Sequence, residues 1–201
     1  DPSESELRAI ADFLKAQFDT SVHALGLVKS YAATWLGMGN GLAVPWRHVP
    51  HTMINTRVSS SRRFVAQSFS IDRVRAVNRA AGVTLNDVVL AMCSGALRRY
   101  LAEQGELPEH SLRSLVPVSV RSEDDFDSPV AVSYIVADLG TRHADPVERL
   151  EAIVESTRAG KQMLADLSPR EAGLYASLVQ TPLFVASMMG VADRFPPVST
   201  V

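Results

Sequence analysis

Three polar residues, Thr84, Asn86 and Asp87, stand at the start of a long apolar run and carry the clearest local chemistry in this sequence. Thr84 is a typical helix N-cap, and Asp87, three positions later, can accept hydrogen bonds from free backbone amides, as in a capping box. Asn86 then lies in the first helical turn, where unpaired N–H groups and the helix dipole favour anions and polar ligands. Taken alone, the pattern favours a helix cap over a ligand site.

The five histidines and the single cysteine form no catalytic or metal-binding pattern along the sequence. His48 and His51 are the closest pair, but they flank a proline in a predicted loop and lack cysteine or carboxylate neighbours, which predicts solvated loop histidines. The acidic cluster within residues 124–127 lacks the spacing of a calcium loop and predicts a solvated turn. Cys93 falls inside an apolar helical run, which predicts a small buried side chain. The sequence therefore predicts no catalytic set and no metal ligands in this chain.

The composition is that of a globular protein. The 201 residues are 46% hydrophobic and 21% charged, with a formal net charge of -2, and this is enough for one domain with a real core. A charge so close to zero provides no field that would attract nucleic acid. A single cysteine cannot form an internal disulfide, so nothing indicates an oxidising compartment.

Helical and strand patterns alternate along the chain, which predicts an α/β fold with helices layered on a sheet. Caps bound several elements: Ser70 begins a helix that ends at Gly82, and Asp145, followed by a proline and a glutamate, begins another. The predicted helices are residues 5–18, 21–36, 71–81, 84–104 and 146–166, and a further helix starts at Ser168. The predicted strands are residues 63–69, 114–120 and 130–139. Residues 42–62 are a predicted long connection.

The two ends of the sequence and one uncharged stretch bear on processing and membranes. No initiator methionine or signal peptide is visible, and residues 194–201 have the composition of a loop cut short, which predicts a fragment. Residues 172–192 contain no charged side chain and are nearly long enough to span a bilayer. Because this stretch includes Pro182 and several polar residues, a buried helix pair or an interfacial segment is the better prediction.

Several segments occur in an order and spacing found in a known family. They are Arg62-Arg63-Phe64-Val65-Ala66-Gln67, the helix that contains Asn86-Asp87, Val116-Pro117-Val118-Ser119-Val120-Arg121, residues 130–141, and Asp145-Pro146-Val147-Glu148-Arg149-Leu150. Across about residues 40–170 they resemble the bacterial wax ester synthase/diacylglycerol acyltransferase family, and more broadly the second half of chloramphenicol-acetyltransferase-like and condensation folds. The resemblance implies a chloramphenicol-acetyltransferase-like fold, a mixed sheet flanked by helices, of which this chain is about one half. Residues 1–62 are then inter-domain helices and linker, and residues 63–201 a truncated C-terminal acyltransferase domain.

The resemblance also implies an activity. It implies transfer of an acyl group from acyl-CoA, as co-substrate without another cofactor, to diacylglycerol or a long-chain alcohol. In that family the second histidine of an H-H-x-x-x-D-G motif is the general base that deprotonates the acceptor hydroxyl. This sequence contains no such motif. The implied partner is therefore a missing N-terminal half, joined or cleaved, that carries the catalytic histidine, and this chain alone is expected to be inactive. The implied location is the bacterial cytoplasm, at a membrane or lipid-droplet surface.

Four residues are carried over as candidate substrate-binding, CoA-binding or site-supporting groups: Asn86, Asp87, Ser119 and Arg121. Asn86 and Asp87 match the Asn-Asp pair of the family, and site support or CoA contact weighs equally with capping alone. Ser119 and Arg121 end a predicted strand, where Arg121 can reach a phosphate or remain a surface arginine. Ser128-Pro129 stands where the family usually carries Gly-Asn, a turn with different backbone freedom, which predicts lowered activity.

Two other functions remain open on sequence alone. The missing H-H-x-x-x-D-G motif and the Ser128-Pro129 turn are also expected of a non-catalytic lipid-binding or interaction module. A condensation-type acyltransferase that uses carrier-protein substrates is the third alternative. An H-H-x-x-x-D-G motif upstream in the reading frame would favour the enzyme.

Overall fold

The computed structural model describes residues 43–45, 47–56, 60–119, 132–167, 172, 175–176 and 196–200. Within these ranges the elements follow one another as a 3-10 turn (Met53–Asn55), helix α1 (Ile71–Ala81), helix α2 (Leu85–Glu103), strand β1 (Arg113–Ser119), strand β2 (Val132–Asp138) and helix α3 (Pro146–Ala165).

The described sheet is built on an antiparallel pair. β1 and β2 pair along their full length, with Leu115 opposite Val136 and Val116 opposite Ile135. Two isolated bridges extend the pair: Ala43 pairs antiparallel with Val136, and Thr200 pairs parallel with Ser114. Both strand directions therefore meet in one sheet flanked by helices, and the predicted α/β fold is confirmed.

The central parts of both strands are covered on their two faces. Consecutive residues are buried in each strand, Leu115 and Val116 in β1 and Ile135, Val136 and Ala137 in β2. Because side chains alternate between the faces of a strand, consecutive burial requires a layer on each side. Helix α3 packs on β2, α2 packs on α3, and α1 packs on α2.

The approach of α3 to β2 depends on a glycine. An ideal Cβ built at Gly160 would lie 2.9 Å from Ile135 Cβ, closer than real β-carbons come. We expect Gly160→Ala to lower the free energy of unfolding by about 1–2 kcal/mol, because overpacking outweighs the gain in helix propensity. Gly95 in α2 is the matched control, since its Cβ would meet only the Arg149 Nη2 atom at 3.5 Å. Gly95→Ala should raise stability by up to about 1 kcal/mol. Urea unfolding midpoints measure both, and equal shifts in the two variants would contradict the close helix–strand contact.

Helix ends agree closely with the sequence predictions, and one predicted strand is not formed among the described residues. Gly82 ends α1 with a left-handed φ of 66°, and the Asp145 side chain accepts hydrogen bonds from two backbone amides of α3. Ser70 stands at the N-cap of α1, but its side chain makes no capping hydrogen bond. Residues 63–69 are not a strand in the described structure. A strand needs a hydrogen-bonded neighbour, and no described residue supplies one.

The structure tests only part of the remaining expectations. The predicted helices over residues 5–18 and 21–36, the helix start at Ser168 and the solvated turn at residues 124–127 lie outside the described residues. The boundary near residue 62 stays a prediction.

Within the described ranges, no single helix is both long and apolar enough to cross a bilayer. Helices α1 and α2 together reach that length and composition, but they are bent by 105° at the break between them. Most of the uncharged segment 172–192 lies outside the described residues.

Candidate functional site

The N-terminus of α2 is closed by the predicted capping box. Thr84 Oγ1 accepts a hydrogen bond from the Asp87 backbone N–H at 3.2 Å. In return, Asp87 Oδ2 accepts from the Thr84 backbone N–H at 3.0 Å and from the Thr84 hydroxyl at 2.6 Å. The cap predicted from the T-x-x-D spacing is confirmed.

Asp87 also makes a long-range contact that the spacing could not show. Its second carboxylate oxygen, Oδ1, accepts a hydrogen bond of 2.8 Å from the hydroxyl of Thr157, which lies 70 positions later in α3. Asp87 is only 3% exposed and Thr157 is also buried. The carboxylate therefore joins two helices as well as capping one, so capping alone does not describe its role.

Two other hydroxyl groups tie α2 and α3 to the end of β2. The Ser156 hydroxyl accepts from the Asp138 backbone N–H at 2.8 Å, which fastens α3 to the end of β2. The buried Ser94 hydroxyl of α2 donates to the carbonyl of Leu139, directly after β2. Sequence reasoning passed over Ser94, Ser156 and Thr157. The available clue was their polar type at helix-interior positions, where hydroxyl residues are not favoured without a partner.

Asn86, the other member of the predicted pair, faces outward. Its side chain is exposed in the first turn of α2 and makes no hydrogen bond within the described part of the chain. Asp87 thus holds the helix end in place, while the Asn86 side-chain amide stays unbonded within the described residues. Its role in a site stays a prediction.

The structure describes three of the four candidate residues, Asn86, Asp87 and Ser119. Ser119 is exposed at the end of β1, and no hydrogen bond connects it to Asn86 or Asp87 across the described residues. Arg121 lies outside the described residues, as does the Ser128-Pro129 turn. A shared site for all four residues therefore stays a prediction.

An open apolar groove of about 480 Å³ runs between α1, α2 and the start of α3. Phe69, Val77 and Met92 line it together with Val88, the residue after Asp87. Exposed arginine Arg73 also lines this groove. A groove with this lining suits a hydrocarbon chain or an apolar surface from elsewhere in the protein.

Three of the described histidines and the cysteine are exposed, whereas His143 is half-buried. His48 and His110 are exposed and stack with ring centroids 5.1 Å apart. Slight burial, then the charges of Arg47, His110 and Arg113, lower the pKa of His48. Across the described ranges, no three His, Cys, Asp or Glu residues are grouped to hold a metal ion. The prediction that Cys93 is buried is wrong, because the face of α2 that carries it packs against none of the described elements.

Ionisation of Asp87 gives a pH dependence with a defined sign. Burial acts to raise the pKa of Asp87, but hydrogen bonds from the Thr84 and Thr157 side chains and the Thr84 amide, aided by Lys161, outweigh it and lower that pKa below its ordinary value. The unfolded carboxyl, with a pKa of about 3.9, then binds protons at a higher pH than the folded one. Its stabilising contribution is complete above that value and is lost as the pH falls through the lower, folded pKa.

We therefore expect unfolding free energy to fall on acidification from about pH 5 downward, with part of the fall removed in Asp87→Asn. Urea midpoints measured between pH 7 and pH 3 give the comparison. The exposed Asp72 in the first turn of α1 supplies the control, Asp72→Asn, which should keep the parent profile. Parallel acid profiles for the parent and Asp87→Asn would contradict the assignment.

Two models of one family match this chain. The "Wax ester synthase/diacylglycerol acyltransferase catalytic domain" matches residues 5–89, and the "WS/DGAT C-terminal domain" matches residues 131–201. Asp87 falls in the first match and Thr157 in the second, so their hydrogen bond joins the two matched regions.

Individual members of the same family, all longer than this chain, are also similar to it. The chain is 41% identical over 145 residues to "O-acyltransferase WSD" of Acinetobacter baylyi, covering 72% of this chain and 31% of the relative. It is 36% identical over 215 residues to "Probable diacyglycerol O-acyltransferase tgs2" of Mycobacterium tuberculosis H37Rv, covering 98% of this chain and 47% of the relative. The solved wax ester synthase/diacylglycerol acyltransferase of Marinobacter aquaeolei VT8 is similar with a TM-score of 0.62 and 37% identity, covering 75% of this chain and 33% of that one. The chain thus spans about half, or less, of the length of the relatives it matches.

Proposed function

This chain belongs to the wax ester synthase/diacylglycerol acyltransferase family, and on that premise we propose that the whole protein is a CoA-dependent O-acyltransferase that forms triacylglycerol or wax ester. The observation that carries the proposal is the match of two successive family models, whose regions Asp87 and Thr157 join through a buried hydrogen bond.

The proposed reaction transfers an acyl group from the sulfur of CoA to the hydroxyl oxygen of the acceptor. The hydroxyl oxygen of diacylglycerol or of a long-chain alcohol attacks the thioester carbonyl of acyl-CoA, the C–S bond breaks, and CoA leaves as a thiol. A general base takes the proton of the attacking hydroxyl. By resemblance this base belongs to the H-H-x-x-x-D-G motif, which is absent from these 201 residues. The part of the protein outside this chain would then supply the base, and this chain would bind and position substrate.

We propose that the protein acts at the location where its lipid substrates are found. Its acceptors are water-insoluble, so a membrane or lipid-droplet surface in the bacterial cytoplasm is the natural place of action. The thioester already activates the acyl group, so acyl-CoA serves as co-substrate and no further cofactor is needed.

The experiment is an esterification assay with the whole protein. Radiolabelled palmitoyl-CoA is offered with diolein or hexadecanol, and the expected products are labelled ester and free CoA. This chain alone should be slower by at least about a hundredfold, because a general base contributes 10²–10⁴-fold. Absence of ester from the whole protein across several acyl chain lengths would overturn the proposal. Acyl-CoA binding without turnover would select the lipid-binding module, and turnover only with acylated carrier proteins would select the condensation-type enzyme.

Among the four candidate residues, Asn86 is the sharpest test of a binding role. Its side chain is exposed and unbonded within the described residues, so removing it should leave folding intact. In the whole protein we expect Asn86→Ala to lower kcat/KM for acyl-CoA by about tenfold or more, the effect of losing one polar contact. The unfolding midpoint of the variant should stay at the parent value. Unchanged kinetics would leave Asn86 as a helix-end residue only.

Ser119 and Arg121 are proposed as further substrate-contacting groups near the end of β1. Arg121 is the natural phosphate ligand of the pair because its guanidinium can bind two oxygens at once. Arg121→Gln in the whole protein should weaken acyl-CoA binding more than it weakens binding of a fatty acid that lacks the CoA phosphates.

A further inference from the structure

The segment that precedes α1 exposes large apolar side chains to an unusual degree. Phe64 is 91% exposed and Val65 is 88% exposed, and Phe69 at the end of the segment is also largely uncovered. Single exposed apolar residues are ordinary on protein surfaces, but two adjacent ones that are almost fully exposed, with a third nearby, mark an interaction surface.

The backbone of the segment is uncovered as well. Residues 63–69 belong to no helix or strand, and their N–H and C=O groups make no hydrogen bonds within the part of the chain that the structure describes. Phe, Val and Phe at this spacing are residues favoured in strands. The segment therefore has the composition of a strand and lacks only a neighbour.

The direction of the side chains tells which kind of surface can cover them. Phe64 and Val65 are both almost fully exposed, and as consecutive residues of a strand they would point to opposite faces. A flat lipid surface reaches only one of those faces, and hydrocarbon would leave the backbone groups without partners. A sheet with layers on both sides covers both side chains and pairs the backbone, as β1 and β2 show elsewhere in this chain.

We propose that residues 63–69 form a strand in a sheet whose other strands belong to the part of the protein outside this chain. The curated relatives are long enough to supply that partner, since this chain spans at most about half of them. Addition of an extended segment to a sheet edge is a common mode of recognition. Phe69 also lines the apolar groove next to Met92 of α2, so the partner that pairs with the segment also reaches that groove. The proposal rests on family membership and not on the proposed catalytic activity.

Amide hydrogen exchange tests the pairing directly. In the whole protein, the amides of residues 64–69 should exchange at least about a hundredfold more slowly than in this chain alone. Fast exchange of these amides in the whole protein would overturn the proposal, whether or not that protein makes ester.

Two further exchange measurements distinguish other possible partners of residues 63–69. Slow exchange in this chain alone that strengthens with concentration would assign the segment to a second copy. Slow exchange that needs added vesicles of phosphatidylcholine and phosphatidylglycerol would assign it to a lipid surface. Either result would overturn the proposal.

A proline variant adds an independent readout in the whole protein. Val65→Pro removes one ladder N–H and should bring the exchange of residues 66–69 close to that of the isolated chain. Ser60→Pro, which lies outside the proposed strand in an exposed position, is the matched control and should leave exchange slow. Equal exchange in the two variants would contradict the strand, and the comparison of parent proteins stands even where a variant fails to fold.

Discussion

Replacing Asp87 with alanine is expected to lower the free energy of unfolding by about 3 kcal/mol, a large effect for one residue. The substitution removes the reciprocal half of the α2 capping box, in which the Thr84 N–H and hydroxyl donate to the carboxylate, and this half is worth about 1 kcal/mol. It also removes the bond that joins α2 to α3 and leaves the buried hydroxyl of Thr157 without its carboxylate partner. Because hydrogen bonds to a charged group are stronger than neutral ones, the tertiary part of the loss should exceed the capping part.

Three matched variants separate the contributions of the Asp87 network. Thr157→Val removes the bond between the helices, together with a longer 3.3 Å bond from the same hydroxyl to the Val154 carbonyl of its own helix, and should cost about 1–2 kcal/mol. Thr84→Ala removes capping contacts and leaves Thr157 paired, with a cost of about 1 kcal/mol. Asp72→Ala at the exposed start of α1 should change stability by no more than about 0.5 kcal/mol. Urea denaturation followed by circular dichroism supplies all four values, and an Asp87→Ala loss no larger than that of Thr84→Ala would reduce Asp87 to a cap.

Gly140→Ala is the second substitution for which we expect a loss of about 3 kcal/mol. Gly140 follows β2 with a φ of 61°, in the left-handed region where a β-carbon is strained by about 1–2 kcal/mol. The space is also occupied, because an ideal Cβ there would lie 2.9 Å from the Arg149 carbonyl oxygen and 3.2 Å from Ala152 Cβ. The contacted oxygen belongs to the backbone of α3, which cannot move aside as a flexible side chain can, so overpacking adds to the strain.

Gly82 gives the control for backbone strain alone. Its φ of 66° is nearly the same, but a β-carbon at this position would meet no atom within 4 Å. Gly82→Ala should therefore cost only about 1 kcal/mol. Thermal or urea unfolding of the two variants measures the difference, and equal losses would show that the approach of α3 to the turn after β2 is not tight.

Local sequence patterns succeeded where the interacting groups lie within four residues of one another. The Thr84–Asp87 box, the Asp145 cap with Pro146, and Gly82 at the end of α1 were all predictable, and the structure confirms them. Each depends on hydrogen bonds or dihedral angles inside one turn of backbone, which the residue types fix. The strand over residues 63–69 failed for the opposite reason, because pairing depends on a neighbour that the local pattern does not specify.

Burial was predictable only where a periodic apolar face met a partner in this chain. The central residues of β1 and of β2 are buried as their composition indicates. Cys93 lies in an equally apolar run but is exposed, because apolar character does not say which face of a helix another element covers. The family resemblance identified an acyltransferase half from ordered motifs, whereas the roles of Ser119 and Arg121 stay predictions.

The sequence by itself determined the caps, the helix and strand types of most described elements, and membership in the family. Only the tertiary structure decided that the Asp87 carboxylate accepts a hydrogen bond from Thr157, 70 positions away. It also decided that Ile135 packs against α3 at Gly160, where a β-carbon would be too close. The physical reason is the range of the forces involved. Capping and propensity act between residues that the chain already holds together, whereas packing and long-range hydrogen bonds exist only after distant segments have been brought into contact.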